Sequence, residues 1–332
     1  MPTALVTGAT GLVGSHIVDR LLAEGWNVRA FVRPASASDL PAGVEVARGD
    51  VLDRDAFVRS ASGCDVIFHT AAAITTLGDW EVFRRLNVDG TSNAIAAAES
   101  SRARLLQLSS VAVYGPTGRY NAPGKKTAED AVLGPLPERA YYARSKRESE
   151  QLVLEAHAAG RIWATAVRPN VIYGPRDRQF VPRIAKLLRR GVAPIIGGGQ
   201  STLSVIHAAN VADGAVRAAM CDVAGGRAYN LTNDFDVTVR RFFELAAQGL
   251  RKHVRFVPIP LPVAKVGFKL VKAAARALTG GRFNVISNAS LGMLTKDNPF
   301  TSERARRELG WSPAVRPEDG VPEAFRWWMT HR

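Results

Sequence analysis

The first fifty residues alternate between short apolar runs and one amphipathic stretch. Apolar residues at 3–7 predict a strand, and Ile17 and Leu21 lie about one turn apart on the same side of a helix that Gly25 ends. Apolar side chains at every second position over 28–32 then predict a second strand. The order strand, helix, strand is the context in which a dinucleotide-binding turn occurs.

Three glycines separate the first strand from the helix with the spacing GxxGxxG, at Gly8, Gly11 and Gly14. Because they carry no side chains, the backbone can approach a diphosphate, and the amides at the start of the helix face its negative charge. A tight structural turn would also favour glycine, but the flanking strands and helix favour dinucleotide binding. The cofactor contacts predicted here are Gly8, Thr10, Gly11, Leu12, Val13 and Gly14.

The residue after the second strand selects between the two nicotinamide cofactors. An acid there binds the ribose 2′-hydroxyl of NAD, whereas an arginine accommodates the 2′-phosphate of NADP. The chain has Arg33 at this point and no acid before Asp39, which favours NADP(H) over NAD(H). The alternative is that Arg33 is one more solvated arginine. The stretch 47–53 predicts a third strand that ends at Asp50, with Asp50 and Val51 flanking the adenine.

Two adjacent tyrosines precede a lysine in the stretch AYYARSKRESE, residues 140–150. On a helix, Tyr142 and Lys146 lie on one face because they are four residues apart, whereas Tyr141 lies about 100° further round. A phenol has an ordinary pKa of about 10, and a nearby ammonium lowers that pKa by favouring the phenolate. The spacing therefore makes Tyr142, together with Lys146, the candidate acid/base.

The bulk composition bounds the remaining functions. The 332 residues are 46% hydrophobic and 22% charged, and no apolar run reaches the ~18 residues that a membrane span needs. The net charge of +14 comes from basic residues dispersed along the chain, so we expect no nucleic-acid function. Cys64 and Cys221 lie far apart and no metal-ligand spacing occurs, so we predict no metal site and a cytoplasmic location.

The order of motifs resembles the extended branch of the short-chain dehydrogenase/reductase superfamily, the NAD-dependent epimerase/dehydratase group. The resemblance covers nearly the whole chain, and its most specific parts are the glycine turn and YARSK. The nearest members are 3β-hydroxysteroid dehydrogenases, dihydroflavonol reductases and 3-oxoalkanoate reductases. The matching stretches are TGATGLVG (7–14), GDV (49–51), FHTAA (68–72), NVDGT (87–91), LSSVAVYG (108–115), YARSK (142–146), RPNVIYGPRD (168–177), VIHAANVADG (205–214) and FTSERARRELGW (300–311).

The resemblance implies an α/β fold, with a doubly wound parallel Rossmann sheet, helices on both of its faces and a smaller C-terminal substrate lobe. Residues 1–175 would bind the NAD(P), and residues 176–332 would mainly form the lobe. Residues 205–235 would return to the first domain. The resemblance also implies a homodimer.

The resemblance assigns the catalytic roles. Ser110 would donate a hydrogen bond to a ketone oxygen, Tyr142 would supply the proton as a hydride arrives from the nicotinamide, and Lys146 would hold the ribose. Ser109 is the less favoured serine. Further cofactor contacts are expected at Thr70, Ala71, Ala72, Asn87, Tyr142, Lys146, Pro169, Asn170 and Val171, and substrate contacts at Trp80, Ser110, Tyr141 and Phe180. Core packing is expected for Tyr114, Tyr173, His69 and His207.

Two departures from the family pattern argue against a nucleotide-sugar substrate. Such enzymes usually carry an arginine for the diphosphate just before the segment that matches VIHAANVADG, but residues 198–207 contain no arginine or lysine. An asparagine common in that group is replaced by Val171. The sequence therefore favours an oxidoreductase acting on a largely apolar steroid-, flavonoid- or 3-oxoacyl-like substrate. A nucleotide-sugar 4-epimerase with tightly bound NAD stays open, because Arg176, Arg178 and Arg183 could compensate, and a non-catalytic redox sensor is a third hypothesis.

A basic amphipathic helix is predicted over 263–280. Its basic residues fall within about 60° on a helical wheel, and its apolar residues face the opposite way. Such a helix can lie on an anionic membrane beside a site for lipid-like substrates, so peripheral membrane contact is a hypothesis. An ordinary lobe helix with one solvated face is the alternative. The basic residues are Lys265, Lys269, Lys272 and Arg276, and the apolar ones are Val266, Leu270, Ala274 and Leu278.

Overall fold

A sheet of seven parallel strands lies at the centre of the computed structural model, which describes residues 1–34, 40–74, 79–115, 125–233, 235–279 and 288–331. The strands within these residues are β1 (Thr3–Thr7), β2 (Asn27–Val32), β3 (Glu45–Arg48), β4 (Val66–His69), β5 (Arg104–Leu108), β6 (Ala164–Pro169), β7 (Val171–Tyr173), β8 (Val192–Ile196), β9 (Val205–His207), β10 (Ala228–Leu231) and β11 (Arg255–Ile259). The order in the main sheet is β3-β2-β1-β4-β5-β6-β10.

The strand order reverses between β1 and β4. β1 pairs with β2 on one side, where Thr7 lies opposite Phe31, and with β4 on the other, where Thr7 lies opposite His69. Connections that follow β1 and β4 therefore leave the sheet towards opposite faces, and a crevice opens between them at the carboxyl ends of the strands. The doubly wound parallel fold predicted from the sequence is confirmed.

Helices cover both faces of this sheet. The helices within the described residues are α1 (Leu12–Ala23), α2 (Arg54–Ala61), α3 (Trp80–Phe83), α4 (Gly90–Ser101), α5 (Tyr141–Ala158), α6 (Phe180–Leu188), α7 (Ala208–Met220), α8 (Val239–Gly249), α9 (Leu261–Thr279), α10 (Asn288–Thr295), α11 (Glu303–Leu309) and α12 (Pro317–Thr330). One face carries a core with Ile17, Leu21 and Trp311, and the other carries a core with Phe57 and Val153. Burial on both faces explains why the strands are almost continuously apolar.

The local predictions for the first fifty residues agree with the structure except at the third strand. β1 occupies residues 3–7, and Gly25 follows the first helix with a φ of +78°. The third strand ends at Arg48, so the predicted end at Asp50 is wrong. The reason is local, because the Asp50 carboxylate accepts a hydrogen bond from the Leu52 amide at 2.9 Å and turns the chain.

A second core lies in the C-terminal part of the chain. There β8 pairs with β11, and α6, α8 and α12 pack around Phe242 and Phe325. Between these segments α7 packs against α1, and β10 joins the edge of the main sheet with Ala228 opposite Ala166 of β6. Within the described ranges, no helix combines the length and the apolar character that a bilayer-spanning segment requires.

Candidate functional site

The end of β5 and the start of α5 bring two hydroxyl groups together. β5 ends at Leu108, and Ser110 then caps a short 3₁₀ turn over Val111–Tyr114 by accepting the Ala112 amide at 3.2 Å. The phenol of Tyr142, the second residue of α5, lies beside the Ser110 side chain and interacts with it. Two predicted catalytic side chains from distant parts of the sequence thus meet at the carboxyl end of the sheet.

Lys146 lies one turn further along α5 and is buried. Its Nζ donates a hydrogen bond to the Leu108 carbonyl at 2.6 Å. Burial lowers the pKa of this ammonium to about 8, and the nearby Glu150 carboxylate opposes that shift. The ammonium therefore lies next to the start of the Ser110 turn and is mostly charged at neutral pH.

The pKa of Tyr142 moves in the direction opposite to the sequence expectation. Burial raises the pKa of the phenol, and the neighbouring Ser110 side chain opposes that shift. The Lys146 ammonium is directed at the Leu108 carbonyl, so it does not overcome the effect of burial. The predicted lowering is therefore wrong for the chain by itself, and Tyr142 is a phenol that keeps its proton at neutral pH.

The glycine turn between β1 and α1 has the shape that a diphosphate requires. Gly8 has a φ of +67°, and a Cβ added there would lie 2.9 Å from the Ala71 amide nitrogen. A Cβ on Gly14 would lie 2.1 Å from the Gly8 carbonyl oxygen. Gly11 is exposed at the N-cap of α1, where no side chain accepts from the first amides, so these donors suit a phosphate. The same turn contains the half-buried Thr10 and Leu12 and the buried Val13.

The loop after β4 closes one side of the glycine turn. The Thr70 hydroxyl donates to the Thr7 carbonyl at 2.7 Å, and the Ala71 amide donates to the Thr7 hydroxyl at 3.2 Å. Ala72 follows and is half-buried. Thr70 and Ala71 therefore lie beside Gly8, and Ala72 is the next residue of the same loop.

The carboxyl ends of β2 and β3 carry the residues predicted to contact the adenosine. Arg33 directly follows β2 and is exposed. The Asp50 carboxylate accepts the Leu52 amide, and Val51 is half-buried, with its carbonyl accepting a hydrogen bond from Asn93 at 2.9 Å. A cation, with no acid at the end of β2, thus lies where this fold places the ribose 2′-position.

The segment after β6 is predicted to face the nicotinamide. β6 ends at the buried Pro169, and the buried Asn170 donates from Nδ2 to Asn298 Oδ1 at 3.3 Å. The Oδ1 of Asn170 is buried and has no hydrogen-bond partner among the described residues. Val171 begins β7 and is 38% exposed, so this segment has one apolar side chain at the surface and one buried amide oxygen without a partner among the described residues.

Asn87 joins the two sides of the crevice. It is buried in a π-helical turn over Arg84–Asp89. Its Oδ1 accepts the Ala73 amide at 2.6 Å, and its Nδ2 donates to the Ser145 hydroxyl on α5 at 2.9 Å. The side chain thus holds the loop after β4 against the catalytic helix, which is a structural rather than a reactive role.

The three aromatic residues predicted to contact substrate lie in two places. The Trp80 and Tyr141 rings are 6.4 Å apart at the start of α5, and the Arg144 guanidinium stacks 3.9 Å above the Trp80 ring. Phe180 begins α6 and packs in the lobe core, 5.9 Å from the ring of Phe242. The structure therefore brings Trp80 of α3 and Tyr141 of α5 together and places Phe180 in the C-terminal core.

Sequence reasoning missed a buried polar group of Arg168, Glu150 and Tyr114. Arg168 forms an ion pair with Glu150 and donates to the Tyr114 hydroxyl at 2.7 Å. Tyr114 packs against Phe300 as a core residue should, but its hydroxyl is hydrogen-bonded, and burial raises its pKa to about 12. Glu150 lies four residues after Lys146, and this spacing, which places the two side chains on one helix face, was the signal that could have found it.

The two histidines expected to pack in the core, His69 and His207, are both buried, and each is hydrogen-bonded at one ring nitrogen only. His69 Nδ1 shares a hydrogen bond of 2.9 Å with the Thr7 hydroxyl, and His207 Nδ1 accepts the Ala209 amide at 3.2 Å. Their Nε2 atoms are buried without a hydrogen-bond partner among the described residues. Burial lowers the pKa of each ring to about 3, so both are neutral at physiological pH.

Comparisons with known proteins match most of the chain. The profile of the NAD dependent epimerase/dehydratase family matches residues 4–232. The chain is 31% identical over 323 residues to 4-hydroxy-2-methyl-3-oxo-4-farnesyl-3,4-dihydroquinoline-1-oxide ketoreductase of Stigmatella aurantiaca, covering 95% of this chain and 93% of that protein. It is 30% identical over 333 residues to 2-alkyl-3-oxoalkanoate reductase of Shewanella oneidensis, covering 96% and 84%. Its fold matches the crystal structure of gox2253 with a TM-score of 0.80 and 27% identity, covering 100% and 99%.

Proposed function

Because the chain belongs to the NAD-dependent epimerase/dehydratase family, we propose that it is an oxidoreductase that interconverts a ketone and a secondary alcohol on a largely apolar substrate, with NADP(H) preferred to NAD(H). The family resemblance of the sequence motifs is confirmed. The observation that carries the proposal is the position of the Tyr142 phenol beside the Ser110 side chain, at the carboxyl end of β5. Residues 1–175, with 205–235, would bind the cofactor, and residues 176–332 would mainly form the substrate lobe.

Two hydroxyl groups at one point can hold one carbonyl oxygen. A ketone oxygen that accepts hydrogen bonds from Ser110 and Tyr142 would be polarised before it is reduced. Because burial raises the pKa of Tyr142, the phenol stays protonated at neutral pH and can give its proton as negative charge develops on that oxygen. In the opposite direction the phenolate would take a proton from the alcohol. When bound, the nicotinamide supplies or accepts the hydride.

Lys146 would support this proton transfer electrostatically. Its ammonium, held at 2.6 Å by the Leu108 carbonyl, places a positive charge beside the turn that carries Ser110. A positive charge in this interior stabilises the negative charge that Tyr142 acquires when it loses its proton. We therefore assign charge stabilisation and ribose binding to Lys146 and the proton donation itself to Tyr142.

The cofactor preference depends on Arg33. The diphosphate would lie against the backbone of the glycine turn, and the adenosine would extend to the ends of β2 and β3. There the exposed Arg33 offers a cation to a 2′-phosphate, whereas the Asp50 carboxylate is engaged by the Leu52 amide. Because Arg33 is exposed and the Asp50 carboxylate already accepts a hydrogen bond, the arrangement supports a preference for NADP(H).

An apolar substrate is supported by the walls of the crevice. Val171 is 38% exposed, and the Trp80 ring lies beside Tyr141. Arg176, one of the cations that could have compensated in a nucleotide-sugar enzyme, is paired with Asp19 at 2.6 Å. The names of the two relatives, a ketoreductase for a farnesylated compound and a reductase for 2-alkyl-3-oxoalkanoates, agree with such a substrate.

We also propose that the protein is a homodimer, as the family leads us to expect, and that α9 contacts an anionic membrane peripherally. Val263, Val266 and Leu270 are 59%, 58% and 65% exposed. Leu261 and Phe268 are half-buried on the other side of the helix. The apolar face of α9 therefore points away from the side of the helix that the chain partly covers.

The flank of α9 is basic. Lys265 and Lys269 are exposed, and Lys269 lies about 100° from Leu270 around the helix axis. An apolar face bordered by lysines suits the headgroup region of an anionic bilayer. The other predicted members of the two faces lie outside the described side chains: Lys272, Ala274, Arg276 and Leu278.

Replacing Tyr142 tests the proposed function. We expect Tyr142→Phe to lower kcat for reduction of an apolar ketone such as cyclododecanone about thousandfold, because general acid catalysis contributes on this scale. NADPH affinity, measured by cofactor fluorescence, should change less than about twofold. Tyr141→Phe should alter the KM for the ketone more than kcat. Retained turnover in Tyr142→Phe would refute the assignment, and epimerisation of UDP-glucose without consumption of NADPH would favour the epimerase.

A further inference from the structure

A buried ion pair lies between the catalytic helix and the end of β6. The Arg168 guanidinium donates from Nε to Glu150 Oε2 at 2.9 Å and from Nη2 to Glu150 Oε1 at 2.5 Å, and both side chains are almost fully buried. Two parallel bonds fix the plane of the guanidinium relative to the carboxylate. Because each charge loses its hydration, a buried pair of this kind adds little net stability. Its main effect is therefore to fix the position of the two side chains relative to each other.

The third donor of Arg168 reaches the turn that carries Ser110. Its Nη1 donates to the Tyr114 hydroxyl at 2.7 Å, and that hydroxyl donates to Asn230 Oδ1 on β10 at 2.9 Å. Ser110 begins the 3₁₀ turn and Tyr114 ends it. One guanidinium therefore contacts both elements that carry the candidate reacting hydroxyls, the turn through Tyr114 and the helix through Glu150.

We propose that Arg168 is a positioning residue, which holds the Ser110 turn and the catalytic helix at the separation where Ser110 and Tyr142 share the substrate oxygen. This inference rests on the proposed function. A displacement of about 1 Å at a reacting group can cost about a hundredfold in rate. The Val113 carbonyl in the turn also accepts a hydrogen bond from Arg147 Nε at 3.0 Å, so loss of one link should loosen the turn rather than detach it.

The variant Tyr114→Phe tests the contact between Arg168 and the Ser110 turn, because it removes the hydroxyl that accepts from Arg168 and keeps the ring. We expect kcat for ketone reduction to fall about tenfold while the KM for NADPH stays within about twofold. The control is Tyr173→Phe, the same change in the similar stretch IYG, since Tyr173 packs in the lobe core 5.3 Å from the ring of Phe242. Wild-type kcat in Tyr114→Phe, or an equal loss of kcat in both variants, would overturn the proposal.

A double variant, Glu150→Leu with Arg168→Met, tests the contact between Arg168 and α5, because it removes the ion pair. Apolar replacement of a buried pair commonly preserves folding, so we expect the thermal midpoint to stay near the wild-type value. The kcat should nevertheless fall at least as far as in Tyr114→Phe. A folded double variant with wild-type kcat would contradict the positioning role.

A crystal structure of Tyr114→Phe separates this proposal from the proposed function. We expect the distance between Ser110 Oγ and Tyr142 Oη to be about 1 Å longer in the variant than in the wild type. An unchanged distance would overturn the positioning role whatever reaction the enzyme catalyses. A wild-type enzyme that reduces no ketone would overturn the proposed function, and the distance would still decide the role of Arg168.

Discussion

The two longest helices of the described chain, α5 and α9, differ in which side chains they bury and which they expose. α5 has 18 residues and keeps polar side chains in the interior, whereas α9 has 19 residues and leaves apolar side chains in solvent. The buried polar residues of α5 are Ser145, Lys146, Ser149 and Glu150, and the exposed large apolar residues of α9 are Val263, Val266, Leu270 and Val271.

The contrast indicates where each helix finds its partners. In α5 the loss of hydration is offset within the chain, because Lys146 donates to the Leu108 carbonyl and Glu150 pairs with Arg168. Polar groups held in this way have a fixed geometry, which proton transfer requires. The apolar side chains of α9 remain uncovered by the described chain, and such a patch is typical of a surface whose partner lies outside it.

Loss of the buried charge on α5 should have the largest effect on activity. We expect Lys146→Met to lower kcat about thousandfold, because the positive charge that favours the Tyr142 phenolate is removed. Steady-state ketone reduction measures the loss. Lys252→Met, a change at an exposed lysine of the lobe, is the matched control and should leave kcat unchanged. A kcat of Lys146→Met within about tenfold of wild type would contradict the role.

Ser110→Ala should have the next largest effect. Removal of one hydrogen-bond donor to a developing oxyanion typically lowers kcat about a hundredfold. Ser109→Ala is the matched control, because the Ser109 hydroxyl is buried and has no hydrogen-bond partner among the described residues. If Ser109→Ala loses more activity than Ser110→Ala, the wrong serine has been assigned.

A change at the far end of the crevice should affect binding rather than chemistry. We expect Arg33→Ser to raise the KM for NADPH about tenfold, because a charge-assisted hydrogen bond to the 2′-phosphate is lost, and to leave the KM for NADH unchanged. Titration with both cofactors measures the ratio, and Arg59→Ser, at an exposed arginine of α2, is the control. A preference for NADH in the wild type would overturn the assignment of Arg33.

The smallest effect is expected on α9. Val266→Ser should weaken binding to anionic phosphatidylglycerol vesicles several-fold, since burial of about half of such a side chain contributes about 1 kcal/mol, and should leave kcat towards a water-soluble ketone unchanged. Val223→Ser, at a valine exposed elsewhere, is the control. Co-sedimentation at low salt gives the bound fraction. If the wild type does not bind these vesicles, α9 is an ordinary lobe helix.

Features set by short spacing could be predicted from the sequence. The glycine turn depends on residues within one loop, and the position of Tyr142 relative to Lys146 depends on one helical turn, so both follow from local geometry. The end of the third strand was missed by two residues because the Asp50 carboxylate turns the chain back onto the Leu52 amide.

Features set by distant contacts could not be predicted. The pKa of Tyr142 depends on how far the fold shields its phenol from water, and periodicity carries no measure of that shielding. The contacts of Arg168 join β6, α5 and the Ser110 turn, whose residues are far apart in the sequence. The orientation of the apolar face of α9 also depends on which side of the helix the rest of the chain covers.

The most direct test of the account is a crystal structure of the protein with NADP⁺ and cyclododecanol. We expect the alcohol oxygen to lie within hydrogen-bond distance, about 3 Å, of both Ser110 Oγ and Tyr142 Oη. An alcohol oxygen bound elsewhere in the crevice, with the Tyr142 phenol directed away from it, would contradict the claim that these two hydroxyl groups hold and protonate the reacting oxygen.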